Sequence, residues 1–214
     1  MDILYEDARI VVAVKPAGVL STDEPGGMPE LLRARLHTDC IRTVHRLDAQ
    51  VSGVMVFARS RVAASLLSRQ LREHRFTKEY LAVLRGAPPR PAAELTDLLA
   101  RDPQRRLTYV ANAPSPDTRE ARLSYGTVDT ADGLTLVCVR LHTGRTHQIR
   151  VQFASRGLPL SGDRKYGADD APWPIALWSY RLSFDHPQTG AALTFSCPPP
   201  QTEPWTRFTL PDTL

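Results

Sequence analysis

The hydrophobic period of this chain changes several times in no regular order, and that irregularity constrains its fold more than any other feature. Residues 10–14 form a wholly apolar run that stops at Lys15-Pro16-Ala17-Gly18, a strand followed by a turn. Residues 52–58 are again β-rich, with Val54, Val56 and Phe57 inward. From Ser60 the spacing becomes helical: Val62, Ala63, Leu66, Leu67, Gln70 and Leu71 share one face, while Arg61, Ser65, Arg69 and Arg72 take the other. A short helix is expected over 29–36, with Pro29 in its first turn. Residues 77–84 and 134–141 read as strands, and 146–156 as a helix that ends at Gly157. The stretch 102–122, which carries Pro103, Pro114 and Pro116, reads as an irregular excursion or weak hairpin outside the core. An alternation of this kind favours a mixed α/β or α+β sheet over a doubly wound parallel one.

With 214 residues, the chain has the length of a single catalytic domain spanning 1–214. Its cysteines, Cys40, Cys138 and Cys197, are odd in number and far apart, which suits a reducing compartment and offers neither a disulfide framework nor a zinc site. The first residues are acidic where a secretion signal is basic, and no apolar run reaches the roughly 18 to 20 residues of a membrane span. A cytoplasmic protein without membrane attachment is therefore expected, with a monomer as the default. The net charge is +4, and Lys15, Lys78 and Lys165 are the only lysines among 27 basic residues. Arginine suits phosphates and base edges, although a G- and C-rich genome produces the same bias.

Several chemistries are excluded by what the sequence lacks. There is no GxxxxGK[ST] phosphate loop, no GxGxxG after a strand, no GxSxG elbow and no HExxH pair. Three clusters of polar residues remain. His45-Arg46-Leu47-Asp48-Ala49-Gln50-Val51-Ser52-Gly53 precedes a strand, and on its own Asp48 beside Arg46 reads equally as a loop ion pair. Lys78-Glu79-Tyr80-Leu81-Ala82 lies on a strand, where Tyr80 alone would be an ordinary core tyrosine. The third cluster, Gly144-Arg145-Thr146-His147-Gln148-Ile149-Arg150, joins a glycine turn to a helix start, which is either a simple cap or an anion site.

Together these clusters resemble the RluA-type family of pseudouridine synthases. The family's HRLD followed by TSG, its KxYxAxxxG strand and its GRxHQIRxH followed by GDxxYG stand here as HRLDAQVSG, KEYLAVLRG, GRTHQIRVQ and Gly162-Asp163-Arg164-Lys165-Tyr166-Gly167. The opening YEDARIVVAVKPAG and the HPQTG of 186–190 resemble the family's first strand and last hairpin, so the likeness runs in order along nearly the whole chain. Three positions depart from the pattern: Val51 stands for the Thr of TSG, Gln152 for the His that ends the third motif, and Leu177-Trp178-Ser179 for an LHA element. These departures bear on substrate preference more than on reaction type.

The resemblance implies a pseudouridine synthase fold: a bent, mixed, mostly antiparallel sheet with flanking helices and a central RNA-binding cleft. It implies an isomerase acting on uridine in a stem-loop of ribosomal RNA or tRNA, without metal or other cofactor. Asp48 would be the catalytic carboxylate and Arg150 its ion-pair partner. Tyr80 would carry the target base on its ring, and Ile149 would wall the pocket against water. Arg46 would fill the space left by the flipped base, while His45, Arg145 and His147 would contact the RNA backbone or orient the loop.

Overall fold

The computed structural model describes residues 1–167 and 171–210. In chain order the described residues form β1 (Ile3–Glu6), β2 (Ile10–Lys15), α1 (Met28–Leu36), β3 (Arg42–Thr43), β4 (Ser52–Ala58), α2 (Arg61–Arg72), β5 (Thr77–Arg85), β6 (Ala92–Asp102), β7 (Leu107–Val110), β8 (Arg119–Ala131), β9 (Leu134–Leu141), α3 (Gln148–Ala154), β10 (Leu177–Asp185) and β11 (Ala192–Ser196). This is a mixed, mostly antiparallel α/β fold, as the irregular period suggests. The chain forms two compact units: Met1–Glu79 with Trp178–Pro199, and Tyr80–Leu177 with Pro200–Leu214.

In the first unit β2 pairs antiparallel with β1 on one side and β4 on the other, β4 continues in parallel to β10, and β11 pairs antiparallel with β10. Both faces of β2 are covered, which is why its sequence runs apolar without alternation. The same holds for β4, where Val54 through Ala58 are all fully buried. On one face α2 packs Ala63 and Leu67 against Ile10, Val12, Val54, Val56 and Leu182, with Phe76 and Phe184 stacked 5.1 Å apart. Ser60 starts this helix by accepting the Ala63 N–H, and the arginines of its outer face are exposed.

The second unit orders its strands β5-β9-β8-β6-β7. Here the hairpin alternative for 102–122 is the one found, and the expectation that the segment lies outside the core is corrected, since Thr108 and Ala121 are buried. Residues 107–110 are a true strand hydrogen-bonded to β6, and Arg119 already belongs to β8, which pairs with β6 from Ala92↔Gly126 to Leu99↔Arg119. The polar character of these segments reflects strands with one wet face. Their inner positions, Leu99 and Ala121, pack with Val151 of α3, and Tyr125 meets Phe153 edge-on. The helix expected over 146–156 is shorter: α3 spans Gln148–Ala154, because His147 adopts a left-handed conformation (φ 55°) at its start.

Candidate active site

Asp48 lies in the first unit, on the loop that leads into β4, where the sequence places it. The turn is closed by the Val51 N–H donating to the Asp48 carbonyl at 3.0 Å. Beneath it sits a residue that the sequence analysis used only as a strand stop. Lys15 is fully buried, and its Nζ donates to the carbonyls of Pro16 (2.9 Å), Val19 (2.6 Å) and Ala49 (2.9 Å). The Gly18 N–H donates to the same Ala49 carbonyl at 2.8 Å. One ammonium thus ties the turn after β2 to the Asp48–Ala49 backbone. Burial lowers its pKa to about 8, against the pull of the Asp48 charge, which favours the protonated form. A lysine ending an otherwise all-apolar strand is the signal that could have revealed it.

Ser21 adds a second tie, donating to the Leu47 carbonyl (2.9 Å) and accepting the Leu47 N–H (3.0 Å). Gly53, directly after the loop, has φ +121°, and a Cβ there would lie 2.3 Å from the Ser179 carbonyl oxygen. Only glycine fits this approach of β4 to β10.

His45 corrects the expectation of an RNA contact. Only 8% exposed, it accepts the Val56 N–H through Nε2 (3.2 Å) and packs near Phe76. Desolvation, with a smaller contribution from the Lys78 charge, lowers its pKa to about 3, so it stays neutral inside the core. Arg46 is exposed on the loop surface.

Tyr80 and Arg150 belong to the second unit. Tyr80 is buried in β5 at 5% exposure. Arg150 projects from α3, itself buried, and grips Asp163 side-on: Nε donates to Oδ2 and Nη2 to Oδ1, both at 2.8 Å. Ile149 is buried at 4%. Arg145 is exposed, with its Nε donating to the Glu120 carbonyl. The Arg145 N–H, which an anion site at this turn would need, is taken by Gln148 Oε1 at 3.0 Å. His147 Nδ1 lies 2.7 Å from the Tyr166 hydroxyl. That hydroxyl also accepts the Thr108 N–H at 2.9 Å, so it bridges β7 and the start of α3. An open cavity of about 590 Å³ between the β6–β7 hairpin and α3 is lined by Arg105, Tyr109 and Lys165 among others, and by none of Asp48, Tyr80 or Arg150.

The three positions that depart from the family pattern are all framework residues. Val51 is 2% exposed. Gln152 is fully buried and donates to Asp97 Oδ2 (2.7 Å) and to the Ala121 and Leu95 carbonyls. Ser179 Oγ donates to the Val54 carbonyl, and the Trp178 indole donates to the Cys197 carbonyl.

Comparison with known proteins gives these residues a common frame. The RNA pseudouridylate synthase family matches residues 9–155. The chain is 36% identical to the dual-specificity RNA pseudouridine synthase RluA of Escherichia coli K12, covering 92% of each protein. It is 33% identical to an uncharacterized RNA pseudouridine synthase of Aquifex aeolicus, over 94% of this chain and 70% of the relative. Among solved structures, human RNA pseudouridylate synthase domain containing 1 superposes with a TM-score of 0.80 at 24% identity, covering 94% of this chain and 84% of that one.

Proposed function

Because the chain belongs to the RluA-type RNA pseudouridine synthases and so isomerises uridine to pseudouridine in RNA, we propose that Asp48 is its catalytic carboxylate, with Arg150 as the cation that holds it ionised and Tyr80 as the ring against which the target base packs. The two compact units are read as parts of one catalytic domain, since the family match reaches into both. The partner is a stem-loop of ribosomal RNA or tRNA, and the working species is a monomer.

The reaction breaks the N1–C1′ bond of the uridine, turns the uracil and joins C5 to C1′. The proton from C5 leaves to solvent and N1 gains one, so the balance closes without oxidant, reductant or ATP. A carboxylate serves as nucleophile at the sugar or the base, or as the base that opens a glycal route. Either role needs it ionised and held still. A desolvated carboxylate tends to protonate, and a guanidinium in its reach opposes that. Extruding the target base from its stack costs a few kcal/mol, and Arg46, exposed two residues before Asp48, fills the gap in this reading. Arg145, also exposed, supplies a phosphate contact. Ile149 walls the pocket, and His147 orients the turn before α3 through Tyr166.

The observation that carries this reading is the construction of the Asp48 turn. A buried ammonium, a buried serine and the Gly18 N–H converge on the backbone of residues 47–49. An ordinary surface ion pair has no need of such rigid support, whereas a reacting group does. Tritium release from RNA containing 5-tritiated uridine tests it, comparing the wild type with Asp48→Ala on total tRNA and on ribosomal RNA fragments. The expected result is release by the wild type on one of these RNA classes and none above background with the variant. Release that survives in Asp48→Ala would remove the carboxylate from the mechanism.

A further inference from the structure

Apart from the Tyr166 contact with His147, the segment Gly162-Asp163-Arg164-Lys165-Tyr166-Gly167 has no role in the chemistry described so far, yet the second unit builds it around one side chain. Asp163 is 1% exposed. Its backbone is fixed at both ends of the turn, the N–H donating to the Leu160 carbonyl and the carbonyl accepting the Gly167 N–H. Gly162 before it has φ +76°, in a space where a Cβ would lie 2.4 Å from the Pro174 carbonyl oxygen. The Asp163 carboxylate accepts the N–H groups of Lys165 (3.0 Å) and Tyr166 (3.3 Å) at Oδ1, so it is oriented before it meets Arg150.

The contact with Arg150 sets more than a distance. A side-on grip through Nε and Nη2 fixes the plane of the guanidinium and directs its Nη1 edge away from Asp163. The Tyr166 ring bears on the cation, with its centroid 5.1 Å from the guanidinium carbon. The ring is anchored in turn, since its hydroxyl bridges the Thr108 N–H of β7 and His147 at the start of α3. A buried ion pair is a weak source of stability, because desolvating both charges offsets most of their attraction, and an apolar pair of similar volume would serve the fold as well. What such a pair does supply is a fixed orientation.

The structure assigns Asp163 and Tyr166 as positioning residues that fix the orientation of the Arg150 guanidinium, the cation proposed to hold the catalytic carboxylate ionised. This inference rests on the reading of Arg150 given above, and the two are tested together on the full-length chain. Four variants are needed: Asp163→Asn, Tyr166→Leu, Arg150→Ala and the double variant Arg150→Ala/Asp163→Asn. For each, the single-turnover rate of tritium release at saturating enzyme is measured beside the dissociation constant for the same RNA and a thermal melt.

Asp163→Asn keeps an acceptor for the two N–H groups but loses the charge and half the fork. Its rate is expected to fall about 100-fold, the scale of a misplaced reacting group, with RNA affinity within about threefold of wild type. Tyr166→Leu is expected to fall about 10-fold in the same way, and it carries the test should Asp163→Asn not fold. The double variant is expected to be no slower than Arg150→Ala alone, because a residue that acts through Arg150 has nothing left to act on. An inactive Arg150→Ala beside an Asp163→Asn or Tyr166→Leu of wild-type rate would overturn this assignment alone. So would rate losses that only follow the loss of folded protein. An Arg150→Ala of wild-type rate would overturn the reading of Arg150 and this inference with it.

Discussion

Lys15→Met is the substitution that separates support of the Asp48 turn from support of the fold. Methionine has nearly the same length and fills the same buried space, so the change removes an ammonium and its three hydrogen bonds to Pro16, Val19 and Ala49. The Ala49 carbonyl keeps the Gly18 N–H, and Pro16 is exposed and rehydrates. The loss is further reduced because the wild type bears the cost of desolvating a charge. A net destabilisation of about 1–2 kcal/mol is expected, small beside the roughly 5–15 kcal/mol of a typical domain. The turn itself is released from its tether, and a displaced reacting group costs about 100-fold in rate. The pH dependence sharpens the test. Below pH about 8 the buried Lys15 keeps its proton and all three donors, and above it the neutral amine has two. The wild-type rate therefore falls as pH rises through 8, and the gap to Lys15→Met narrows. Stability moves the opposite way: an unfolded lysine holds its proton up to about 10.5, so from pH 8 to 10.5 the unfolded chain binds more protons and this group favours folding as pH rises. Single-turnover tritium release from pH 6.5 to 9.5, beside urea unfolding over the same range, reads both. A variant within about threefold of the wild-type rate at pH 7, with parallel pH profiles, would refute the argument.

Two further substitutions test the first unit. Gly53→Ala places a methyl group against the Ser179 backbone at a left-handed φ; a loss of more than about 3 kcal/mol is expected, seen as insoluble expression or a collapsed urea midpoint, and a soluble variant with a wild-type midpoint would contradict it. Asp7 accepts the N–H groups of Arg9 and Ile10, the Tyr5 hydroxyl and His186 Nε2. Although burial alone would raise its pKa, these donors hold it below the ordinary carboxylate value. Such a carboxylate adds stability above its unfolded pKa and loses it as pH falls through the folded one. Asp7→Asn is thus expected to cost about 1 kcal/mol at pH 7 and to converge on the wild type in acid; urea unfolding at pH 7 and pH 3 with an unchanged difference would rule this out.

The parts of the fold that were legible in the sequence are those whose burial is decided locally. β2, β4, β5, β9 and α2 show their period in their own residues because each packs a continuous apolar face. β6 and β8 were not legible, since AAELTDLLARD and REARLSYGTVDTA carry too many polar residues to declare themselves as strands. Their strand state comes from pairing with each other and with β9, a non-local fact. The site divides along the same line. Asp48 could be placed on a loop before a strand from its motif alone. The burial of Lys15 is created by a carbonyl 34 residues away, and the inward turn of His45 by a backbone N–H in β4. Neither partner is visible from the neighbours of these residues in sequence.

The three departures from the family pattern gain a different meaning from their positions. In the sequence they bear on substrate preference, because they stand beside the motifs that carry the proposed site residues. In the structure Val51 is buried behind the Asp48 turn, Gln152 ties α3 to β6 and β8, and Ser179 seats β10 against Gly53. A buried residue with its donors committed to backbone carbonyls has none to offer a base edge or a phosphate. Arg46 and Arg145, which flank the two motifs, keep their guanidinium groups exposed. Of the three, Gln152 alone sits on the helix that carries Arg150, and it retains one buried, unpaired oxygen, Oε1, beside its ties to β6 and β8.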